Sequence, residues 1–210
     1  NGLNSSTGTA GIYIMEVSST GVISFRFLDT GYGPSMDPLR VAPNPGRKNG
    51  IAYVSSADLD GDHITDYVYA GDVFGNLWRF DLTSNSAAVW AAGTAPLFST
   101  PAGQPITTRV TVTSALQGAS PARVMVDFGT GQQLPQTLTS AATYASGTQS
   151  IYGIWDWNMS AWNKLGSVQY ASLAAPQTIT TTNLQTQTAT DVGGGSGNIS
   201  GYRTVTQNPI

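Results

Sequence analysis

Cysteine is absent from this 210-residue chain, and histidine and charged residues of either sign are scarce. Without cysteine there can be no disulfide framework, thiolate zinc site or cysteine nucleophile. A Ser-His-Asp triad would have to use the single histidine, His63. The chain has 9 lysines and arginines against 12 aspartates and glutamates, a net charge of −3. No basic cluster is available to displace counterions, so a nucleic-acid partner is not expected.

Charged residues make up only 10% of the chain, whereas an ordinary soluble domain has about 25%. No run of 18 apolar residues occurs and the N-terminus lacks the pattern of a signal peptide, so we expect no membrane span in this chain. Hydrophobic residues reach 40%, enough for a core, and 24 glycines and 11 prolines interrupt regular structure. The neutral polar composition is typical of extracellular proteins.

Apolar runs rich in Val, Ile, Tyr and Phe recur around turn residues, a pattern typical of antiparallel strands. The runs are residues 12–17 with 22–27, 67–71 with 77–81, 123–128, and 151–156. Their turns centre near Thr20, Gly75, Thr130 and Asn158, at spacings of 55, 55 and 28 residues. Propeller blades repeat every 40 to 50 residues or so. We therefore predict an all-β fold of antiparallel blades, as a partial β-propeller or an open sheet assembly.

We expect residues 1–210 to be part of one propeller domain that is incomplete at both ends, because about four blades cannot close a ring. Three stretches depart from the strand pattern and are predicted to be long loops or insertions. They are the proline-rich residues 29–50, residues 129–150, which lose apolar periodicity, and residues 176–198, where a Thr/Gln stretch runs into glycines.

A nine-residue loop with four aspartates is the most informative part of the sequence. Asp58, Asp60, Asp62 and Asp66 occupy its first, third, fifth and ninth positions, and Ile64 at the seventh would offer its backbone carbonyl. Ca²⁺ takes 6–8 oxygen ligands, and such alternation can supply several of them. Without a cation, two carboxylates ~5 Å apart repel by roughly 3 kcal/mol at an effective dielectric of 20. We therefore predict a Ca²⁺ site formed by these five residues.

The acidic excess of the chain lies in this loop, since the other residues include 9 basic and 8 acidic ones. The alternative is an Asx-rich turn that binds no metal. The loop differs from an EF-hand because Gly61 is fourth rather than sixth and the ligands stop at the ninth position. His63 is expected to be exposed rather than a ligand, since Ca²⁺ prefers oxygen. Both a structural and a regulatory role remain open for the ion.

With the residues that follow it, DYVYAGDVFGNLWRFDL at 66–82, the loop resembles the C-terminal propeller domain of the PilY family of type IV pilus biogenesis and tip adhesin proteins. Other motifs agree in order, so the resemblance covers most of the chain: residues 1–8, 11–13, 96–98, 104–107, 128–131, 152–156 and 201–203. It implies a modified seven-bladed propeller, longer than this chain at both ends. Its one Ca²⁺ loop maps onto Asp58, Asp60, Asp62, the Ile64 carbonyl and Asp66.

The resemblance also implies a function in which the ion controls pilus extension against retraction, with contributions to twitching motility and surface adhesion. The implied partners are pilus components, namely minor pilins, together with a surface receptor that the sequence does not identify. The implied location is the cell surface, at the pilus tip or the outer membrane of a Gram-negative bacterium. No Arg-Gly-Asp tripeptide is present, so integrin binding gains no support.

Two other classes of function are compatible with parts of the sequence. Residues 72–78 also resemble a repeat of quinoprotein dehydrogenases, but Trp78 is better explained by packing between blades. No spacing favours an acid pair among the aspartates outside the loop, so we predict no enzyme and no catalytic residue. A calcium-stabilised propeller that binds proteins or glycans is the other alternative. Trp155, Trp157 and Trp162 could stack on sugars, although each is expected in the core.

Overall fold

The structure, a computed structural model, describes residues 6–116, 121–134, 143–174, 179–186, 189–192 and 202–205. Within these ranges the chain forms strands and three-residue 3-10 helices, and all pairs between strands are antiparallel. The strands are Gly11–Val17 (β1), Ile23–Asp29 (β2), Ile51–Ala57 (β3), Tyr67–Asp72 (β4), Asn76–Asp81 (β5), Ala91–Ala92 (β6), Phe98–Ser99 (β7), Thr111–Ala115 (β8), Arg123–Gly129 (β9), Gln133–Leu134 (β10), Thr143–Tyr144 (β11), Ile151–Trp155 (β12), Ala189–Val192 (β13) and Tyr202–Val205 (β14). The 3-10 helices are Pro34–Met36, Ala87–Val89, Trp162–Lys164 and Thr181–Asn183. The predicted all-β, antiparallel fold is confirmed.

The chain divides into two compact units, Asn1–Thr178 and Ile179–Ile210. The first contains the β1–β2 hairpin, a five-stranded sheet and a three-stranded sheet in the order β12-β9-β8, together with the β10–β11 pair. In the five-stranded sheet β3, β4 and β5 are consecutive, and β6 and β7 both pair with β5. The second unit contains the β13–β14 hairpin. In the described ranges no helix is long and apolar enough to cross a membrane.

Two of the predicted turns are hairpin turns. The turn at Thr20 joins β1 to β2, which pair along their whole length. The turn at Gly75 joins β4 to β5, which pair from Tyr67↔Asp81 to Gly71↔Leu77. Gly75 has a φ of 88°, and a Cβ there would collide with the Thr100 side chain, so glycine is required on both counts.

The turns predicted at Thr130 and Asn158 are not hairpin turns, and this part of the interpretation was wrong. β9 pairs with β8 before it and with β12 after it, so the chain leaves the sheet at Thr130 and returns only at Ile151. After β12 it enters the 3-10 helix Trp162–Lys164 instead of a neighbouring strand. The spacings of 55, 55 and 28 residues therefore do not mark equivalent turns of a repeating blade. Strands that pair across a long connection, such as β9 and β12, leave no pattern in the local sequence.

The connection between β2 and β3 is held in place by one buried carboxylate. The Asp37 side chain is 2% exposed. It accepts hydrogen bonds from the backbone N–H of Leu39 (3.0 Å) and of Arg47 (2.8 Å), and from the Arg47 guanidinium (2.7 Å). Burial acts to raise the pKa of Asp37, but these donors outweigh it and lower the pKa to about 2. The connection contains one short 3-10 helix, Pro34–Met36, between the two strands.

The β1–β2 hairpin packs against one face of the five-stranded sheet. A buried cluster joins the two and consists of Ala10, Ile12, Leu28, Ile51, Val68, Ala70, Trp78 and Phe80. Trp78 is fully buried there, and its Nε1 donates to the carboxylate of Asp72 at 2.8 Å. The predicted packing role of Trp78 is thus confirmed.

The opposite face of the five-stranded sheet contacts the three-stranded sheet. Side chains alternate along β4, so Tyr67 and Tyr69 point away from the hairpin. The Tyr69 hydroxyl donates to Asp156 at 2.7 Å, and Arg79 Nη1 donates to the same carboxylate at 2.8 Å. Asp156 immediately follows β12 and is fully buried. This ion pair joins β4 and β5 to the end of β12.

We expect Asp156→Asn to lower the free energy of unfolding by about 3–5 kcal/mol, because it leaves the Arg79 charge buried without its partner. Urea denaturation followed by tryptophan fluorescence measures the change. The control is Glu16→Gln, which breaks the Glu16–Arg26 pair, where both side chains are more than a third exposed. That change is expected to stay within about 1 kcal/mol. Equal losses in the two variants would contradict the role of the buried pair.

Candidate metal centre

The aspartate loop joins β3 to β4, and hydrogen bonds to the sheet close its base. The N–H of Asp66 donates to the carbonyl of Ala57, the last residue of β3, at 2.9 Å. The Asp66 carbonyl accepts from the N–H of Leu82, just after β5, at 2.9 Å. Both ends of the loop are therefore anchored on a rigid sheet, as the flanking strand patterns predict.

Inside the loop, carboxylates replace regular hydrogen bonding. Asp58 accepts from the N–H groups of Gly61 (2.7 Å) and His63 (2.9 Å), and Asp62 accepts from that of Ile64 (2.8 Å). Gly61 and His63 have φ values of 80° and 71°, and His63 is the one non-glycine residue with positive φ in the described ranges. The His63 side chain is exposed, as predicted.

Three of the predicted ligands come together. Carboxylate oxygens of Asp58, Asp60 and Asp66 all lie within 4.8 Å of one another. Ligands bound to one Ca²⁺ at 2.3–2.6 Å can be up to about 5 Å apart, so this spacing suits a single ion. Asp62 is not part of the cluster. The places of Asp62 and of the Ile64 carbonyl in the ligand set therefore stay predictions.

One carboxylate oxygen in the cluster has no protein partner. Asp60 Oδ1 is buried without a hydrogen bond, and a buried acceptor in that state costs about 1–3 kcal/mol. Buried polar atoms are nearly always paired, so this oxygen is available to a cation or to a hydrogen-bond donor. An all-oxygen donor set is the one that hard cations such as Ca²⁺ prefer. The residues present thus fit the ion that the sequence predicts.

The electrostatics of the loop also favour a cation. Asp66 is buried, and its Oδ2 accepts from the N–H of Leu59 at 2.7 Å. Burial, together with the charges of Asp60, Asp58 and Asp62, raises the pKa of Asp66 above its usual value. For Asp58, desolvation acts to raise the pKa, but backbone N–H donors led by that of His63 outweigh it and lower the pKa. The loop therefore concentrates negative charge around a partly buried centre.

Tyr170 is a functional candidate that the sequence did not indicate. Its hydroxyl donates to the backbone carbonyl of Leu59, between two of the clustered aspartates, at 2.7 Å. Asn163 holds Tyr170 in place, because the Asn163 amide donates to the Tyr170 carbonyl (2.7 Å) and accepts from its N–H (2.9 Å). Tyr170 lies 111 residues from Leu59 in the sequence, so no local motif could reveal the contact.

The segment that carries Tyr170, residues 157–173, connects the loop to the three-stranded sheet. We call it the strap. Trp162 of the strap packs edge-on against Tyr67, the first residue of β4, with ring centroids 6.3 Å apart. The N–H of Ala171 donates to the carbonyl of Ala122, next to β9, at 2.9 Å. The strap therefore contacts the loop, the strand that follows the loop, and the neighbouring sheet.

Comparison with known proteins identifies close relatives. A family model described as the PilY1 beta-propeller domain matches residues 8–192. The type IV pilus biogenesis factor PilY1 of Pseudomonas aeruginosa strain PAO1 is 34% identical over 148 residues, covering 61% of this chain and 13% of that protein. A PilY1 homolog of Xylella fastidiosa strain Temecula1 is 29% identical over 165 residues, covering 74% of this chain and 10% of that protein.

The fold also resembles a solved structure, the crystal structure of the Pseudomonas aeruginosa PilY1 C-terminal domain. The match has a TM-score of 0.60 at 27% sequence identity and covers 99% of this chain and 42% of that one. The sheets described above are thus those of a partial β-propeller, as predicted from the sequence. The chain spans 13% of the length of the Pseudomonas relative whose sequence it matches.

We expect Tyr170→Phe to lower the free energy of unfolding by about 1–3 kcal/mol, because the buried carbonyl of Leu59 loses its donor. The same loss of a hydroxyl in Tyr53→Phe is the control, since Tyr53 is 57% exposed, and it is expected to change stability by less than about 0.5 kcal/mol. Urea denaturation of both variants in calcium-free buffer measures the difference. If the two variants matched, the contact between the strap and the loop would not be stabilising.

Proposed function

The chain belongs to the PilY1 β-propeller family, whose model matches residues 8–192, and from this premise we propose that it is the calcium-binding propeller of a type IV pilus biogenesis protein. In this proposal, Ca²⁺ at the aspartate loop regulates pilus extension against retraction, and through it twitching motility and surface adhesion. The observation that carries the proposal is the cluster of Asp58, Asp60 and Asp66, in which one buried oxygen of Asp60 has no hydrogen-bond partner.

Each loop residue has a distinct part in holding the ion. Asp58, Asp60 and Asp66 provide the clustered carboxylates, and Asp62 and the Ile64 carbonyl would complete the oxygen shell. When bound, the ion would supply positive charge that attracts each carboxylate and outweighs the repulsion among them. The N–H groups of Gly61 and His63 already donate to Asp58 and order the turn before the ion binds. Less conformational entropy is therefore lost when the ion binds.

Calcium can regulate the protein only by binding two conformations with different affinity. The loop offers such a difference, because its carboxylates lie close enough to share an ion in one state, and without the ion their repulsion favours an open state. Two connections would transmit a change in the loop conformation to the rest of the unit. Asp66 continues directly into β4, and the Leu59 carbonyl is bound by Tyr170 of the strap. We propose that loop opening loosens the strap and thereby the contact with the three-stranded sheet.

We propose a mechanical and not a catalytic role, with minor pilins as partners and the pilus tip or outer membrane surface as location. Its support is the pilus biogenesis role named for the relatives. The fully buried carboxylates outside the loop are also engaged in the described residues: Asp72 accepts from Trp78, and Asp156 accepts from Arg79 and Tyr69. Asp72 is bound within its own sheet and Asp156 joins two sheets, so these contacts favour a structural role for both.

The glycan-binding alternative finds less support in the structure. Trp157 and Trp162 are 8% and 2% exposed, so neither offers a ring face to a sugar. Trp155 is partly exposed, but the guanidinium of Arg123 lies over its ring at 4.5 Å from the centroid. The predicted core positions of Trp157 and Trp162 are confirmed.

We expect titration calorimetry of the calcium-free protein with Ca²⁺ to show one site, which Asp60→Ala weakens at least tenfold. The control is Asp191→Ala, which removes the same charge from β13 and is expected to leave the affinity unchanged. Mg²⁺ should compete poorly, because it demands a small octahedral shell of oxygens. Wild-type affinity in Asp60→Ala would refute the assignment of the ligands.

In cells, Asp66→Asn tests regulation apart from folding. The amide oxygen can still accept from the N–H of Leu59, so the fold should persist while the charge at the ion is lost. We expect altered surface piliation and twitching, with Asp191→Ala behaving as wild type. If Asp66→Asn abolishes calcium binding and yet leaves piliation and twitching unchanged, the site is purely structural and the regulatory role is wrong.

A further inference from the structure

The β1–β2 hairpin has apolar residues on both faces, but only one face packs against the five-stranded sheet. Ile12 and Leu28 lie on the face that packs against the five-stranded sheet and are each 5% exposed. We call the other one the outer face. Its apolar residues are Tyr13, Met15, Val17, Ile23, Phe25 and Phe27, and the first five have exposed fractions of 57%, 59%, 59%, 58% and 68%.

The outer face is a continuous patch. Met15 lies opposite Phe25, and Val17 lies opposite Ile23, in the pairing of the two strands. Side chains directly opposite each other on one face of an antiparallel pair have their Cβ atoms about 4.5–5.5 Å apart. The Tyr13 ring extends the patch, because it contacts Phe27 with ring centroids 4.7 Å apart. Single exposed apolar residues need no explanation, but contiguous patches mark sites of interaction.

The strand sequences are those of a sheet buried on both sides. An antiparallel sheet with one face in water normally alternates apolar and polar residues. β1 instead begins with the run Gly-Ile-Tyr-Ile-Met, and β2 carries Phe25 and Phe27 on the side away from the core. The hairpin has three charged residues. Glu16 and Arg26 are paired with each other at 3.0 Å on the opposite face, and Asp29, the last residue of β2, lies at the base of the outer face.

We infer that the outer face is an interface between blades, and that its occupant is the apolar face of a further β-sheet from the same polypeptide. Propeller blades typically have four strands and pack face to face around a ring, whereas this hairpin has two. More than half of the PilY1 C-terminal domain has no counterpart in this chain, which covers 42% of it. The inference rests on family membership and not on the calcium-dependent function.

The chemistry of the outer face favours a sheet over other occupants. A membrane surface or an acidic partner would call for basic residues among the apolar ones, and the outer face has none. The far face of the three-stranded sheet is different in kind, because Asp127 there accepts a hydrogen bond from Thr113 and Arg123 covers Trp155. The described part of the first unit thus has one sheet face at the hairpin that is apolar except for Asp29 at its base, and a mixed face at the opposite sheet.

The absence of cysteine from these 210 residues makes single-cysteine labelling a direct test. Phe25→Cys and Met15→Cys are introduced in the complete gene product, and maleimide labelling of each site is followed by peptide mass spectrometry, with the urea-denatured protein as reference. We expect labelling in the native protein to be at least tenfold slower than in urea. Ser24→Cys, on the opposite and also exposed side of β2, is the control and should label within threefold of the denatured rate.

The occupant is then identified by a benzophenone maleimide attached at Phe25→Cys and activated by light. Crosslinks to peptides of the same polypeptide outside residues 1–210, at monomeric mass, would support the inference. Rapid native labelling, a crosslinked dimer, a crosslink to another protein, or crosslinks confined to residues 1–210 would each overturn it. Val17→Cys, near the end of β1, replaces Phe25→Cys in both measurements if the latter fails to accumulate.

Discussion

Strands β4 and β5 are buried on both faces, and this constraint organises the first unit. All six residues of β4 are buried, as are four of the six in β5. A sheet of this kind is stable only if each face meets another apolar surface. On one side the hairpin contributes Ile12 and Leu28, and on the other the three-stranded sheet supplies its contacts. The five-stranded sheet therefore lies between the hairpin and the three-stranded sheet.

Polar groups caught between the sheets must then be paired. Arg79 can be buried between the five-stranded and three-stranded sheets because Asp156, just after β12, accepts its hydrogen bonds. Asp72 likewise gathers donors, among them Asn49, Asn76 and Trp78. These two carboxylates are fully satisfied. Asp60 is the contrast, because one of its buried oxygens has no protein donor.

The contrast between satisfied and unsatisfied carboxylates links the fold to the proposed function. The sheet is rigid and holds both ends of the aspartate loop, so the loop cannot relieve its repulsion by moving as a whole. In the proposed function, the loop relieves this repulsion by binding a cation or by opening at its tip. Tyr170 of the strap donates to the Leu59 carbonyl, and this contact is the route by which the proposal links the loop to a second sheet. In the proposed function, calcium binding at the loop could in this way affect the strap and the three-stranded sheet.

The sequence by itself determined the elements whose causes are local. Alternating apolar residues and a required glycine define the hairpins at Thr20 and Gly75, and the spacing of aspartates defines the loop at Asp58. The family was also evident from the order of its motifs. Only the tertiary structure decided which strands pair across the excursion after β9, and that Tyr170 reaches the loop. Those contacts join residues far apart in the chain, and they arise because buried surfaces and buried polar atoms must find partners wherever the fold supplies them.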